Sequence, residues 1–368
     1  MISAQKSNVS NSSIASNASN ASIASIVSNK SNLLKRAILP LLILALIITQ
    51  TGCSNTTKPQ EEENYFFDVP CKLTIYETKD GSRDAAEIFE GAWDLCNELE
   101  KTLSRTIDSS DVGRLNSAEG NWIELSDTTI EVLERSIYYG DLSGGAFDVS
   151  IGGVSILWDF YDEDPKLPDQ SVLSEAVSHV DYRNIEIDGN MVRLLDPAAQ
   201  IDLGGIAKGY IADRLTSYLE FEGVTSGIIN LGGNAVVIGS KPGGSDFVVG
   251  VEKPYSDRTE LIGSIECSNK TIVTSGVFER NFEINGIIYH HVLSTTSGYP
   301  VETDLDCVTL ILDKGRSVDA DALSTICLML GSEAGKELIE SLDGIEAVFC
   351  LSSGDIVTTD GANFNEEK

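Results

Sequence analysis

Two rhythms of apolar and polar positions run through the chain. Cys71-Lys-Leu-Thr-Ile-Tyr76 alternates with a period of two, the pattern of a strand with one buried face. From Arg83 to Leu103 the period lengthens, and Ala86, Phe89, Trp93, Leu95 and Leu99 form the stripe of an amphipathic helix. Helical spacing recurs near 128–139, 171–177, 205–220, 319–330 and 334–342, while short apolar or alternating runs at 185–187, 192–195, 227–231, 247–251, 271–274, 308–312 and 347–351 predict strands. Helices and strands interleave without regular βαβ spacing, so the expected fold is α+β, a single large body of mixed sheets and helices over 71–360. No internal repeat is visible. The polar stretch 361–368 is expected to fray.

Composition supports a folded body and narrows its partners. Of 368 residues, 42% are apolar and 23% charged, as in an ordinary globular domain. The 26 Lys and Arg face 57 Asp and Glu, a net −31. Lys6, Lys30, Lys35 and Arg36 are the only charges before Cys53, so the remainder carries 22 cations and a net −35. Nucleic acid is excluded as a partner, because binding it requires cationic surface to replace phosphate counterions. A phosphate-bearing ligand would need backbone N–H groups, a divalent cation and a few local side chains.

Residues 3–32 are mostly Ser, Asn, Ala and Ile without acids, and are expected to be disordered. The cations Lys35 and Arg36 then precede an apolar stretch, 37–48, shorter than the roughly 20 residues of a membrane span. This is the pattern of a signal peptide, and 1–52 is assigned to the disordered region and that signal. Gly52-Cys53 resembles the lipobox of bacterial lipoproteins, which implies lipidation at Cys53, a tether over 53–70 and a membrane-anchored body on the extracytoplasmic side; an uncleaved signal anchor would reach the same side. The other six cysteines, Cys71, Cys96, Cys267, Cys307, Cys327 and Cys350, lack metal or CxxC spacing. Their apolar contexts point to buried thiols, though an exported chain also permits one or two bridges.

Five segments carry candidate chemistry. In Gly144-Gly-Ala-Phe-Asp-Val-Ser-Ile-Gly-Gly153, two glycine pairs bracket an acid, compatible with a hairpin turn or with close backbone approach to a ligand. Ile201-Asp-Leu-Gly-Gly-Ile-Ala-Lys-Gly-Tyr-Ile-Ala-Asp213 reads as a strand end turning through glycines into a helix, with Lys208 in the first turn. Such a turn offers free N–H groups and the positive dipole end to a phosphate, although its spacing is neither a Walker loop nor GxGxxG. Ile229-Asn-Leu-Gly-Gly-Asn234 begins a third segment, which runs on to Gly250-Val-Glu-Lys-Pro254. The fourth spans Thr274 to Phe282 and then Tyr289-His-His-Val-Leu-Ser-Thr-Thr-Ser-Gly298. Neighbours in a strand point to opposite faces, so only one of His290 and His291 can line a site. In the fifth, Ser317-Val-Asp-Ala-Asp-Ala-Leu-Ser-Thr325, Asp321 and Thr325 share a helix face where a carboxylate and a hydroxyl could meet one hard cation; an acid favoured by the helix dipole is the plainer alternative.

In this order and approximate spacing, the segments resemble the ApbE family of flavin transferases from about Cys71 to Leu351. Thr102-Leu-Ser-Arg-Thr and Ser110-Asp-Val-Gly-Arg-Leu-Asn116 are similar to the family's signature after its first helix. The resemblance implies FAD contacts at Leu103, Ala146, Phe147, Asp148, Asp202 and Lys208. It implies a Mg²⁺ site from Asp321, Thr325 and the Gly205 carbonyl, and a catalytic role for His291. Many members carry a carboxylate three residues after this histidine, where this chain has Ser294, which could replace its hydrogen bonding but not its charge. The implied activity is Mg²⁺-dependent transfer of FMN from FAD to a Ser or Thr of a client protein with release of AMP. A Mg²⁺-dependent FAD pyrophosphatase would share every motif, and a flavin-storing lipoprotein is the non-catalytic alternative.

Overall fold

The alternating run at 71–76 lies inside the longer strand Val69–Thr78, which pairs with Gln60–Phe66 on one side and Val224–Leu231 on the other. The structure, a computed structural model, describes residues 58–160, 164–256 and 260–367; the expected disordered arm, the signal peptide and Cys53 lie outside the described residues. Among the described residues no helix is long and apolar enough to cross a membrane.

The main sheet has eight strands, antiparallel throughout, in the spatial order Gln60–Phe66, Val69–Thr78, Val224–Leu231, Asn234–Ile238, Lys270–Gly276, Leu305–Asp313, Ile345–Leu351 and Ile356–Thr358. Both faces of its centre are covered. Val308, Leu310 and Leu312 point to the core shared with the helices Ala85–Leu103, Ala207–Phe221 and Ser317–Leu330. Ile311, between them in sequence, points to the opposite face with Val237, Ile272 and Val348, against Phe247, Val251 and Ile265 of a three-stranded sheet. A strand buried on both faces loses its period-two signature and becomes a continuous apolar run, as Leu305–Asp313 does. Helices and antiparallel sheets are thus segregated as in an α+β fold.

The first helix shows what sets its depth. Asp84 caps it by accepting from Ala86 N at 3.3 Å, and Ala85, Ile88, Phe89, Ala92, Cys96, Leu99 and Leu103 are buried. Ala86, placed in the stripe by spacing, is exposed, and Trp93 lies at the stripe's edge. There its ring stacks on Phe66 at 6.0 Å and its N–H donates to Glu62 at 2.9 Å.

Two domain boundaries differ from expectation. The expected tether over 53–70 includes the strand Gln60–Phe66, whose Gln-Glu-Glu-Glu-Asn start is exposed at the sheet edge. Charge on an edge strand deters pairing with other chains, and it also erases the alternation that would reveal a strand. At the other end the expected frayed tail includes Phe364–Glu366, which pairs with Leu261–Cys267. All six described cysteines are buried and unbridged, in accord with the thiol reading.

Candidate functional site

Three of the motif loops converge at the amino end of the helix Ala207–Phe221. The segment before it is pinned from both sides: Asn116 accepts from Ile201 N at 2.6 Å and donates to Ile201 O at 3.0 Å, and Asp202 N donates to Val149 O at 2.7 Å. Asp202 Oδ1 accepts from Gly204 N at 2.9 Å and shapes the glycine turn, while Oδ2 meets Ser155 Oγ at 2.7 Å and Arg105 Nε at 3.0 Å. Arg105 belongs to the Thr102-Leu-Ser-Arg-Thr segment that resembles the family signature, though no role attaches to it there, and Ser155 has no sequence signal of its own.

The two helices of the site exchange polar groups. Asp213 accepts from Ser317 N at 2.9 Å and Val318 N at 3.0 Å, capping the start of Ser317–Leu330 from outside. Burial nonetheless raises the Asp213 carboxyl above the usual carboxylate range, against the lowering effect of those hydrogen bonds. In return, the buried Asp321 accepts the Gly209 N–H on Oδ2 at 2.9 Å. Gly209 stands in the first turn of that helix, where an N–H has no carbonyl of the ladder to bond, and Asp321 supplies the missing acceptor. Glycine at 209 makes this approach possible, because a β-carbon there would stand 2.2 Å from Ser317 O.

Asp321, Thr325 and Gly205 form one group. Thr325 Oγ1 reaches Asp321 O at 3.2 Å, and a β-carbon built on Gly205 would be 3.6 Å from Thr325 Oγ1 and 3.0 Å from the Phe147 ring. Lys208 Nζ lies 3.2 Å from Asp321 Oδ1 and 3.4 Å from Gly204 O. Among the described residues no three His, Cys, Asp or Glu side chains gather as a metal cluster. A carboxylate, a hydroxyl and a main-chain carbonyl are hard oxygen donors, and they suit a Mg²⁺ that takes its remaining ligands from water and substrate phosphates. The residues present therefore fit that ion.

His291 enters from the other side. The strand Ile287–His290 ends one residue before it, so the extended run expected through Leu293 bends at this position. His291 N and Nδ1 both face the Arg280 carbonyl, at 3.0 and 3.3 Å, and Phe160 stands edge-on to the ring with centroids 6.5 Å apart. A carbonyl can only accept, so Nδ1 carries the proton and Nε2 keeps its lone pair. Burial, with the Arg280 and Lys208 cations nearby, pushes the imidazole down to about 3. Ser294 does not orient this ring: its Oγ bonds Thr296 Oγ1 at 3.1 Å and accepts from Thr296 N at 3.3 Å and Ser297 N at 3.2 Å. His290 is buried, its Nδ1 lacks a partner, and burial lowers its pKa.

The remaining candidates are placed differently. The loop after His291 docks on the first glycine pair through Thr295 Oγ1 and Gly145 O at 2.9 Å, and on Trp158, whose Nε1 donates to Gly298 O at 2.7 Å. Asp148 Oδ1 accepts from Ser150 N and Oγ, and Oδ2 from Tyr182 N at 2.8 Å, so this carboxylate is already engaged by its own loop and by the turn at Tyr182. Leu103 and Phe147 are core side chains, Phe147 edge-on to Tyr139, while Ala146 is half-buried beside them. The Gly232-Gly233 pair is a two-residue hairpin turn closed by Leu231 and Asn234. A surface depression of about 450 Å³, lined by Leu157, Val172, Ala176 and His179 among others, includes none of the residues grouped around Asp321 or His291.

The α+β body thus brings a buried carboxylate, a hydroxyl, a main-chain carbonyl and a lysine together at one helix start. The chain belongs to the ApbE family, whose model matches residues 67–349. It is 32% identical over 301 residues to the FAD:protein FMN transferase of Treponema pallidum, covering 76% of this chain and 81% of that one. To the protein of the same name from Klebsiella pneumoniae it is 32% identical over 276 residues, 74% and 84% of the two chains. Among solved structures, the ApbE protein of Thermotoga maritima superposes with a TM-score of 0.75 at 27% identity, over 82% of this chain and 97% of that one. The apo flavinyl transferase ApbE of Pseudomonas stutzeri gives 0.72 at 27%, over 82% and 94%.

Proposed function

We propose that this protein is an FAD:protein FMN transferase that moves the FMN moiety of FAD to a Ser or Thr hydroxyl of a client protein. Its relatives carry that name, and the observation that carries the reading is the exchange at Asp321. The bond from the Gly209 N–H to Asp321 ties the start of one helix to the other and brings Asp321 and Thr325 beside Gly205, which precedes the helix, with Lys208 on the same carboxylate. Bound there, Mg²⁺ would neutralise pyrophosphate charge during displacement, which matters in a body of net −35.

The chain's own residues supply the rest. The client hydroxyl attacks the FMN phosphorus, the bond from that phosphorus to the bridging oxygen breaks, and AMP leaves with that oxygen. His291 takes the hydroxyl proton on Nε2, with Nδ1–H held by the Arg280 carbonyl. Its depressed pKa keeps it unprotonated at neutral pH; the negative charge of a bound pyrophosphate would raise its basicity at the time of reaction. Lys208 offers a point charge to phosphate oxygens, and the Asp202 turn fixes the loop that presents it.

From the lipobox resemblance at Gly52-Cys53 we further infer a body anchored at Cys53 on the extracytoplasmic face, with an exported or membrane redox subunit as client. Cys53→Ala is then expected to leave the precursor unprocessed and unlipidated, and normal lipid labelling of that variant would contradict the anchor. Activity is tested by incubating the protein with FAD, Mg²⁺ and a candidate client, then looking for flavin fluorescence in the client band of a denaturing gel. Release of free FMN and AMP with every tested client unlabelled would favour the pyrophosphatase instead.

A further inference from the structure

Lys208 stands where an incoming cation must bind. Asp321 is 1% exposed, and its Oδ2 is committed to the Gly209 N–H. That leaves Oδ1 as the free acceptor, and the Lys208 ammonium takes it at 3.2 Å while also reaching Gly204 O at 3.4 Å. The ammonium thus bridges the carboxylate and the glycine turn preceding Gly205. A divalent cation on Oδ1 would meet this positive charge at near-contact distance, and in a partly buried site that repulsion is only weakly screened.

We propose that metal binding at this site is an exchange, in which Lys208 leaves Asp321 as Mg²⁺ arrives and its ammonium passes to the ligand's phosphate. Lys208 acts as a stand-in cation that keeps a buried carboxylate paired until metal and FAD bind. The proposal rests on the reading that Asp321, Thr325 and Gly205 hold the metal. One consequence is that Mg²⁺ alone binds weakly, because it must displace an internal ion pair that has nowhere better to go. A second is that FAD and Mg²⁺ favour each other: a phosphate that accepts the ammonium vacates Oδ1 for the metal, and by linkage the metal frees the lysine for the phosphate.

The test is calorimetric titration of the intact protein with MgCl₂ alone, without FAD, comparing wild type with Lys208→Met. The exchange predicts that the variant binds Mg²⁺ at least about tenfold more tightly. Its metal-free thermal midpoint should fall, since Asp321 is left unpaired, and MgCl₂ should raise that midpoint more than in wild type. Arg105→Met removes a nearby cation that pairs with Asp202 and not with Asp321, and so controls for a general change of field. An equal gain in both variants, or no gain in Lys208→Met, overturns the exchange. Lys208→Gln, which retains a hydrogen-bond donor but no charge, replaces Lys208→Met if that variant fails to fold. Asp321→Ala in the Lys208→Met background separates the two levels. If Mg²⁺ binding survives that double change the metal reading itself fails, whereas binding that depends on Asp321 without any gain from Lys208→Met sinks the exchange alone.

Discussion

Replacing His291 with Gln should flatten the acid dependence of the protein's stability. The imidazole titrates near 6.5 in an unfolded chain and at about 3 in the folded one, because burial and the Arg280 and Lys208 charges oppose protonation. On acidification the unfolded state therefore takes up the proton first. The stability is fully present above pH 6.5 and is lost as pH falls toward 3, at about 1.4 kcal/mol per unit. Between pH 7 and 5 this amounts to roughly 2 kcal/mol, an upper bound because the ring keeps some solvent contact. His290, also depressed by burial, has the same sign. His179, raised by its bond to Asp196, has the opposite sign, contributing below its unfolded value and losing that contribution as pH rises. Both remain in the variant and cancel in the comparison. Urea unfolding of wild type and His291→Gln at pH 7 and 5 measures the difference directly. Wild type should lose up to about 2 kcal/mol more than the variant over that interval. Equal losses would show that the ring is not held neutral by its surroundings, and the assignment of Nε2 as a ready proton acceptor would fall with it.

Asp213→Ala should destabilise the fold by about 2 kcal/mol, because two N–H groups at the start of Ser317–Leu330 lose their acceptor; unchanged unfolding midpoints would contradict the external cap. His291→Ala should lower client flavinylation by roughly 10²–10⁴-fold with FAD affinity little changed, whereas His290→Ala should affect stability or nothing. A larger catalytic loss from His290→Ala would reverse the two assignments.

The parts of the fold that were legible in the sequence were those with a clean period: the helix at 83–103, the alternating strand at 71–76 and the buried run at 308–312. Gln60–Phe66 was not, since its three consecutive glutamates are exposed on both faces of the edge strand and its place in the sheet depends on pairing with Val69–Thr78. The helix Gly152–Trp158 was missed as well. It begins at a glycine that only tertiary contact explains, where a β-carbon would stand 2.6 Å from Gln200 O. Within the site, the i, i+4 relation of Asp321 and Thr325 could be read from spacing, and so could the glycine turn into the helix. The interactions that join them could not. Lys208 and the Gly209 N–H are each more than 110 positions from Asp321 in sequence, and the group orienting His291 is a main-chain carbonyl with no residue type to betray it. Ser294 illustrates the same limit, because its hydroxyl is absorbed by its own turn.

The most direct test of the central claim is a flavinylation assay run in parallel on wild type and Asp321→Ala with FAD, MgCl₂ and a candidate client. Wild type should make the client band fluoresce after denaturation and raise the client's mass by one FMN residue, with one AMP released per label. Asp321→Ala, or wild type in excess EDTA, should give neither label nor AMP. Full labelling by Asp321→Ala would contradict the account, as would labelling undiminished by the chelator.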